Sequence, residues 1–159
     1  MPLTILKRTR KVPLAVPALR PALESALLAT GVADREVTLV LVSDRAIHRL
    51  NREWRGIDTP TDCLSFPAGE GEDGQFAGEV LGDIVISVDT ALAQGCEHVP
   101  EGTAPEDALA EEVVFLFVHS LLHLMGYDHH EPDDEEEMQA REQAVLGSIS
   151  RTRPPASRG

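Results

Sequence analysis

A chain of 159 residues, 42% hydrophobic and 26% charged, has the size and composition of one ordinary globular domain with its own core. No apolar run reaches the length of a membrane span, MPLTILKRTRKVPL is no signal peptide, and two isolated cysteines form neither a CxxC pair nor a disulfide framework, which together fit a reduced, cytoplasmic setting. The net charge of −13 is split, with ten Lys/Arg against six Asp/Glu in residues 1–60 but one Arg against 21 acids in residues 61–150; this excludes a non-specific nucleic-acid coat and leaves room only for a local basic strip near the N-terminus.

In chain order, LTILKRTR reads as a short strand. VPALRPALESALLATGV has helical spacing, with Gly31 placed to end the helix. EVTLVLVS, rich in β-branched residues, predicts a buried strand over 36–43. Ser43 is an N-cap candidate for the helix DRAIHRLNREW, whose Ile47 and Leu50 share a side. RGIDTPTD reads as loop, placing Arg55 in it, and CLSFP as a short strand ended by proline. AGEGEDGQFAG is a glycine-rich acidic surface connection. EVLGDIVISV alternates as a strand, and DTALAQGCEH begins a helix expected to fray at Gly95.

From Ala104 one long helix is expected. Ala108, Val113, Val114, Leu116, Phe117, Leu121 and Leu124 make it apolar around most of its girth, as suits a buried central helix. DDEEEMQAREQAVLGSI follows as a last helix, its acids bunched where the helix dipole favours them. SRTRPPASRG has the composition of a disordered tail. The organisation expected is a single domain over 1–150 and a tail over 151–159.

Four of the six histidines fall between His119 and His130, in HSLLHLMGYDHH. His119 and His123 are four apart on the predicted helix, so both rings leave one face about a turn apart. Gly126 can take the left-handed turn that ends a helix, and His129 arrives three residues later, giving H-x-x-x-H-x-x-G-x-x-H. Three neutral imidazoles with an open fourth position are the ligand set of a catalytic zinc, although imidazole accepts nickel and copper too. A lone core histidine is common, but three gathered at a mostly apolar helix are costly to bury without a shared partner. His130 reads as a surface residue, with its neighbouring position making it a fallback ligand, and Asp128 as a group that orients a ring or caps the turn.

The spacing resembles that of the metzincin proteases, but those carry a glutamate general base directly after the first histidine. Ser120 stands there instead, which disfavours peptide hydrolysis, and Glu111 and Glu112 lie two turns too early to replace it.

Three blocks in order resemble the YbeY family of bacterial rRNA maturation factors: RGIDTPTDCLSFP, GEVLGDIVIS and HSLLHLMGYDH. Two positions depart from its pattern, with Ser120 where the family has glycine and Cys63 where it has valine. Serine is small enough for close helix packing, and Cys63 reads as a small buried hydrophobe, with ligation by its thiol as the lesser alternative.

The resemblance implies an α+β, zincin-like domain, a small mixed sheet against a long central helix that carries two of the ligands. It implies one zinc-like ion on His119, His123 and His129. It implies single-strand-specific RNA cleavage in 16S rRNA 3′-end maturation and ribosome quality control, with the small ribosomal subunit as partner and neither DNA nor a membrane involved. Arg55 matches the family's functional arginine, a role suited to a group that grips phosphate bidentately; Arg45, Arg49 and Arg52 extend a basic strip toward it. Asp62 and Asp83 read as turn or backbone partners rather than catalysts. The reaction expected is metal-assisted phosphodiester hydrolysis, with the RNA 2′-hydroxyl as an alternative nucleophile to water. The rival readings are a metalloprotease using the same histidines and a non-catalytic, metal-stabilised ribosome assembly factor.

Overall fold

A computed structural model of the chain describes residues 3–10, 14–68, 80–127 and 132–149. Four strands form one sheet: β1 (Leu3–Lys7), β2 (Glu36–Val42), β3 (Cys63–Pro67) and β4 (Val80–Ser87), in the spatial order β1-β2-β4-β3. β1, β2 and β4 are parallel, and β3 runs antiparallel to β4 as an edge strand. The helices are α1 (Val16–Thr30), α2 (Asp44–Arg55), α3 (Val88–His98), α4 (Pro105–Leu124) and α5 (Pro132–Ser148). No helix among the described residues is long and apolar enough to cross a membrane.

The strand alternation explains the layers. On β2, Val37, Leu39 and Leu41 enter the main core with α1, α3, α4 and α5, while Val42, with Val40 beside it, joins a second cluster. Ile47 of α2, Leu64 of β3 and Val85 of β4 complete that second cluster. The sheet is therefore covered on both faces, as a mostly parallel sheet requires. β3 follows the same period of two: Leu64 and Phe66 pack on the α2 side, and Cys63 packs against the main core.

α4 is the central helix expected from its composition. Its buried residues include Ala108, Val113, Phe117, Leu121 and Leu122, since α1, α3, α5, β3 and β4 all pack on it. α3 does not fray at Gly95. The helix continues to His98, and Gly95 sits directly on the Ala108 carbonyl of α4, where a Cβ would strike that oxygen. The glycine is a contact point for two helix backbones, not a break.

Residues fix the ends of α2 individually. Ser43 accepts a hydrogen bond from the Ala46 amide (3.3 Å), and Asp44 accepts from the Ser87 and Thr90 hydroxyls (2.5 and 2.6 Å). The Asp44 amide in turn donates to the Asp89 carboxylate (2.8 Å), so the N-termini of α2 and α3 are clasped together. At the other end Gly56 adopts φ 72° and returns its amide to the Arg52 carbonyl (3.2 Å). Buried Asn51 donates to the Thr59 carbonyl (2.8 Å), pinning the loop before β3.

Candidate metal centre

His119 and His123 lie in the last turns of α4, with ring centroids 4.7 Å apart and Nε2 atoms 3.2 Å apart. Each Nδ1 faces an acceptor: Glu142 Oε2 of α5 for His119 (2.5 Å) and the Tyr127 carbonyl for His123 (3.1 Å). A ring that donates from Nδ1 carries a lone pair on Nε2. If both rings donate from Nδ1 and carry no proton on Nε2, their lone pairs face the same 3.2 Å gap, an arrangement that a shared cation would satisfy. Two imidazoles at about 2.0–2.1 Å on one tetrahedral zinc have nitrogens about 3.3 Å apart, so the observed gap fits such an ion. Phe115 stacks near-parallel to His119 (15°, centroids 6.5 Å) one turn earlier and backs the ring.

Gly126 ends this region at φ 106°, donating its amide to the His123 carbonyl (3.0 Å), as the spacing predicted. His129, the third ligand expected from sequence, lies outside the described residues, as do Asp128 and His130. The acidic connection from Gly69 to Glu79 and the tail over 151–159 are outside them too.

Glu142 was not anticipated from the sequence. It is 6% exposed, between Met138 and Val145 on the buried side of α5. The signal was present: a carboxylate at helical spacing among apolar residues, on the side of the helix that faces the core. Orienting a ligating histidine through its other nitrogen is the usual work of such a group. Glu112, by contrast, is buried beside His98 of α3 (3.8 Å).

The histidines open onto a cleft of about 610 Å³ along the edge strand β3, with the C-terminal end of α2 as its far wall. Arg55 and Trp54 come from α2, Thr61 and Asp62 from the loop, and His119, Ser120 and His123 from α4. Arg55 was expected in a loop; it is the last residue of α2, because the helix closes only at Gly56. It remains exposed, and it lines the same cleft as His119 and His123. Ser120 is fully buried; the Ser65 hydroxyl of β3 donates to its carbonyl (3.4 Å), while its own Oγ has no hydrogen-bond partner among the described residues. Cys63 lines the cleft only partly buried. Asp62 accepts from Gln94 of α3 (3.4 Å), in keeping with a structural role. Asp83 is exposed on β4 outside the cleft.

Arg45, His48, Arg49 and Arg52 line a shallow hollow of about 240 Å³ on the outer face of α2. Asp58 bonds His48 there (2.9 Å). This is the basic strip expected from helical spacing, and its host helix ends at Arg55.

Comparison with known proteins gives a consistent picture. A family model described as endoribonuclease YbeY matches residues 8–150. The endoribonuclease YbeY of Heliobacterium modesticaldum is 46% identical over 121 residues, covering 71% of this chain and 69% of that protein. That of Moorella thermoacetica is 43% identical over 138 residues, covering 82% and 84%. The solution structure of TM1509 from Thermotoga maritima superposes with a TM-score of 0.56 at 26% identity, covering 93% of this chain and 91% of that one.

Proposed function

Since the chain belongs to the YbeY family, we propose that it is a metal-dependent endoribonuclease whose centre is the cleft between α2, β3 and the end of α4. Its relatives carry the name endoribonuclease, which makes it an RNA hydrolase in the coarse sense. The finer reading is a zinc ion on His119, His123 and His129, single-stranded substrate, and action in 16S rRNA 3′-end maturation and ribosome quality control in the cytoplasm. That assignment of rRNA and small subunit rests on the likeness of the three sequence blocks.

One observation carries the metal: two imidazoles with Nδ1 facing acceptors and Nε2 atoms 3.2 Å apart. When bound there, such an ion supplies Lewis acidity toward water and toward a phosphoryl oxygen. The chain's own groups do the rest. Glu142 holds the His119 ring in the tautomer that leaves Nε2 basic. Arg55, from the opposite wall, grips the phosphate and stabilises charge that builds on its oxygens. Ser120 occupies the position of a protease's general base but is buried and non-basic, which supports phosphodiester over peptide chemistry.

The test pairs metal analysis of the purified protein with cleavage of single-stranded RNA by wild type, Arg55→Ala and Arg55→Lys. Arg55→Ala is expected to keep its metal and its melting temperature and lose most cleavage. Arg55→Lys should recover only part, because lysine keeps the charge but not the planar fork. Wild-type rates in the alanine variant would move the chemistry elsewhere, and unfolding would make Arg55 a structural residue.

A further inference from the structure

Trp54, next to Arg55 at the end of α2, is the only tryptophan in the chain. It is 69% exposed, although an indole is among the side chains with most to gain from burial. Among the described residues the exposed large apolar side chains are Leu28, Trp54, Ile57 and Val80, and of these Trp54 alone lines the cleft. Its ring is not loose on the surface. It meets Phe66 of β3 nearly edge-to-face, with centroids 6.2 Å apart and planes at 75°. Phe66 is itself half-buried against the second cluster. The indole is thus braced from one side, and an edge-to-face contact covers at most one of its two faces, while the residue lines the cleft.

We propose that Trp54 is a stacking platform for an unpaired nucleobase next to the phosphate held by Arg55. This rests on the ribonuclease reading above and adds the part of the substrate that reading leaves unspecified. Successive residues, one aromatic and one carrying a guanidinium, line one cleft, so one wall can meet both halves of a nucleotide: base on Trp54, phosphate on Arg55. The pairing gives a physical ground for strand selectivity. A base inside a duplex has its faces covered by its neighbours, whereas a splayed base offers a face to the indole. It also predicts tolerance of base identity, because every base has a π-face. Trp54 is therefore a substrate-positioning residue, and its loss should fall mainly on binding.

The lone tryptophan makes the contact directly observable. The full-length, zinc-loaded protein is titrated with a single-stranded 2′-O-methyl oligonucleotide, whose integrity is checked afterwards. Parallel titrations use the blunt duplex and an abasic strand of equal charge, while fluorescence anisotropy of a label on the nucleic acid reports binding. The expected result is saturable change of tryptophan emission with the single strand and little with the duplex or the abasic strand. Trp54→Ala should raise KM for single-stranded RNA roughly ten- to a hundred-fold, the range given by loss of one base stack, with a smaller change in kcat. Trp54→Phe should restore most of it. Binding by anisotropy without any change in tryptophan emission, or equal change with the abasic strand, overturns the stacking role and leaves the nuclease reading standing. Absence of binding to any RNA together with absence of cleavage overturns both.

Discussion

Glu142→Gln tests the proposed metal centre without touching a proposed ligand. Glu142 is 6% exposed and lies 2.5 Å from His119 Nδ1, so the substitution keeps the shape and removes one buried negative charge. A hydrogen bond to a charged group contributes about 1.5–3 kcal/mol, against about 0.5–1.5 kcal/mol for a neutral one. The variant should therefore lose roughly 1–1.5 kcal/mol of support for the imidazole, or about tenfold in zinc affinity. Glu142→Ala also frees the ring to rotate, and should approach the hundredfold end of the range for outer-shell partners. Competition for zinc against a chromophoric chelator at fixed pH measures both. An independent reading comes from heat: at saturating zinc, a tenfold weaker site gives about 1.4 kcal/mol less stabilisation. For a chain of this size that is a melting shift smaller by about 3–6 °C. If both variants hold zinc as tightly as wild type, His119 is not a ligand oriented by Glu142, and the reasoning from the facing lone pairs is wrong.

His119→Ala, His123→Ala and His129→Ala should each lose most bound zinc by metal analysis while His130→Ala retains it; the reverse result for the last two would reassign the third ligand. Ser120→Ala should raise the melting temperature by about 2–4 °C, because it removes a buried hydroxyl that lacks a partner among the described residues and leaves the helix better packed, a gain of about 1 kcal/mol; an unchanged or lower value would mean that the hydroxyl is satisfied in solution. Gly95→Ala should cost about 1–3 kcal/mol or more by denaturant unfolding, since the new Cβ meets backbone rather than a movable side chain; a neutral effect would show that α3 can slide on α4.

What was legible in the sequence followed local rules. The apolar girth of α4 marked it as central, the β-branched run marked β2, and Ser43, Gly31 and Gly126 marked turns they do make. The spacing of His119 and His123 was enough to place two rings together. The misreadings came from contacts between segments distant in the chain. Gly95 looks like a helix breaker until Ala108 of α4 is placed against it. Glu142 looks like one more acid of α5 until His119, 23 residues earlier, is seen beside it. Arg55 looked like a loop residue because RGIDTPTD carries turn chemistry, yet the turn begins one residue later at Gly56. The position of Trp54 over Phe66 needed the pairing of β3 at the edge of the sheet, which no local pattern encodes.

The clasp at the start of α2 has a mechanical consequence. Asp44 is bound to Ser87 and Thr90 at one end of a 12-residue helix, and Arg55 stands at the other. At 1.5 Å per residue the two are about 16–17 Å apart, so the helix is a lever with its fulcrum at the sheet. A tilt of only about 3–4° at the clasp would move the end of the helix by about 1 Å; if Arg55 grips the phosphate as proposed, a misplacement of that size costs on the order of a hundredfold in rate. Under the proposed mechanism, two hydroxyls and a carboxylate far from the RNA would therefore help to set the alignment of the reacting groups.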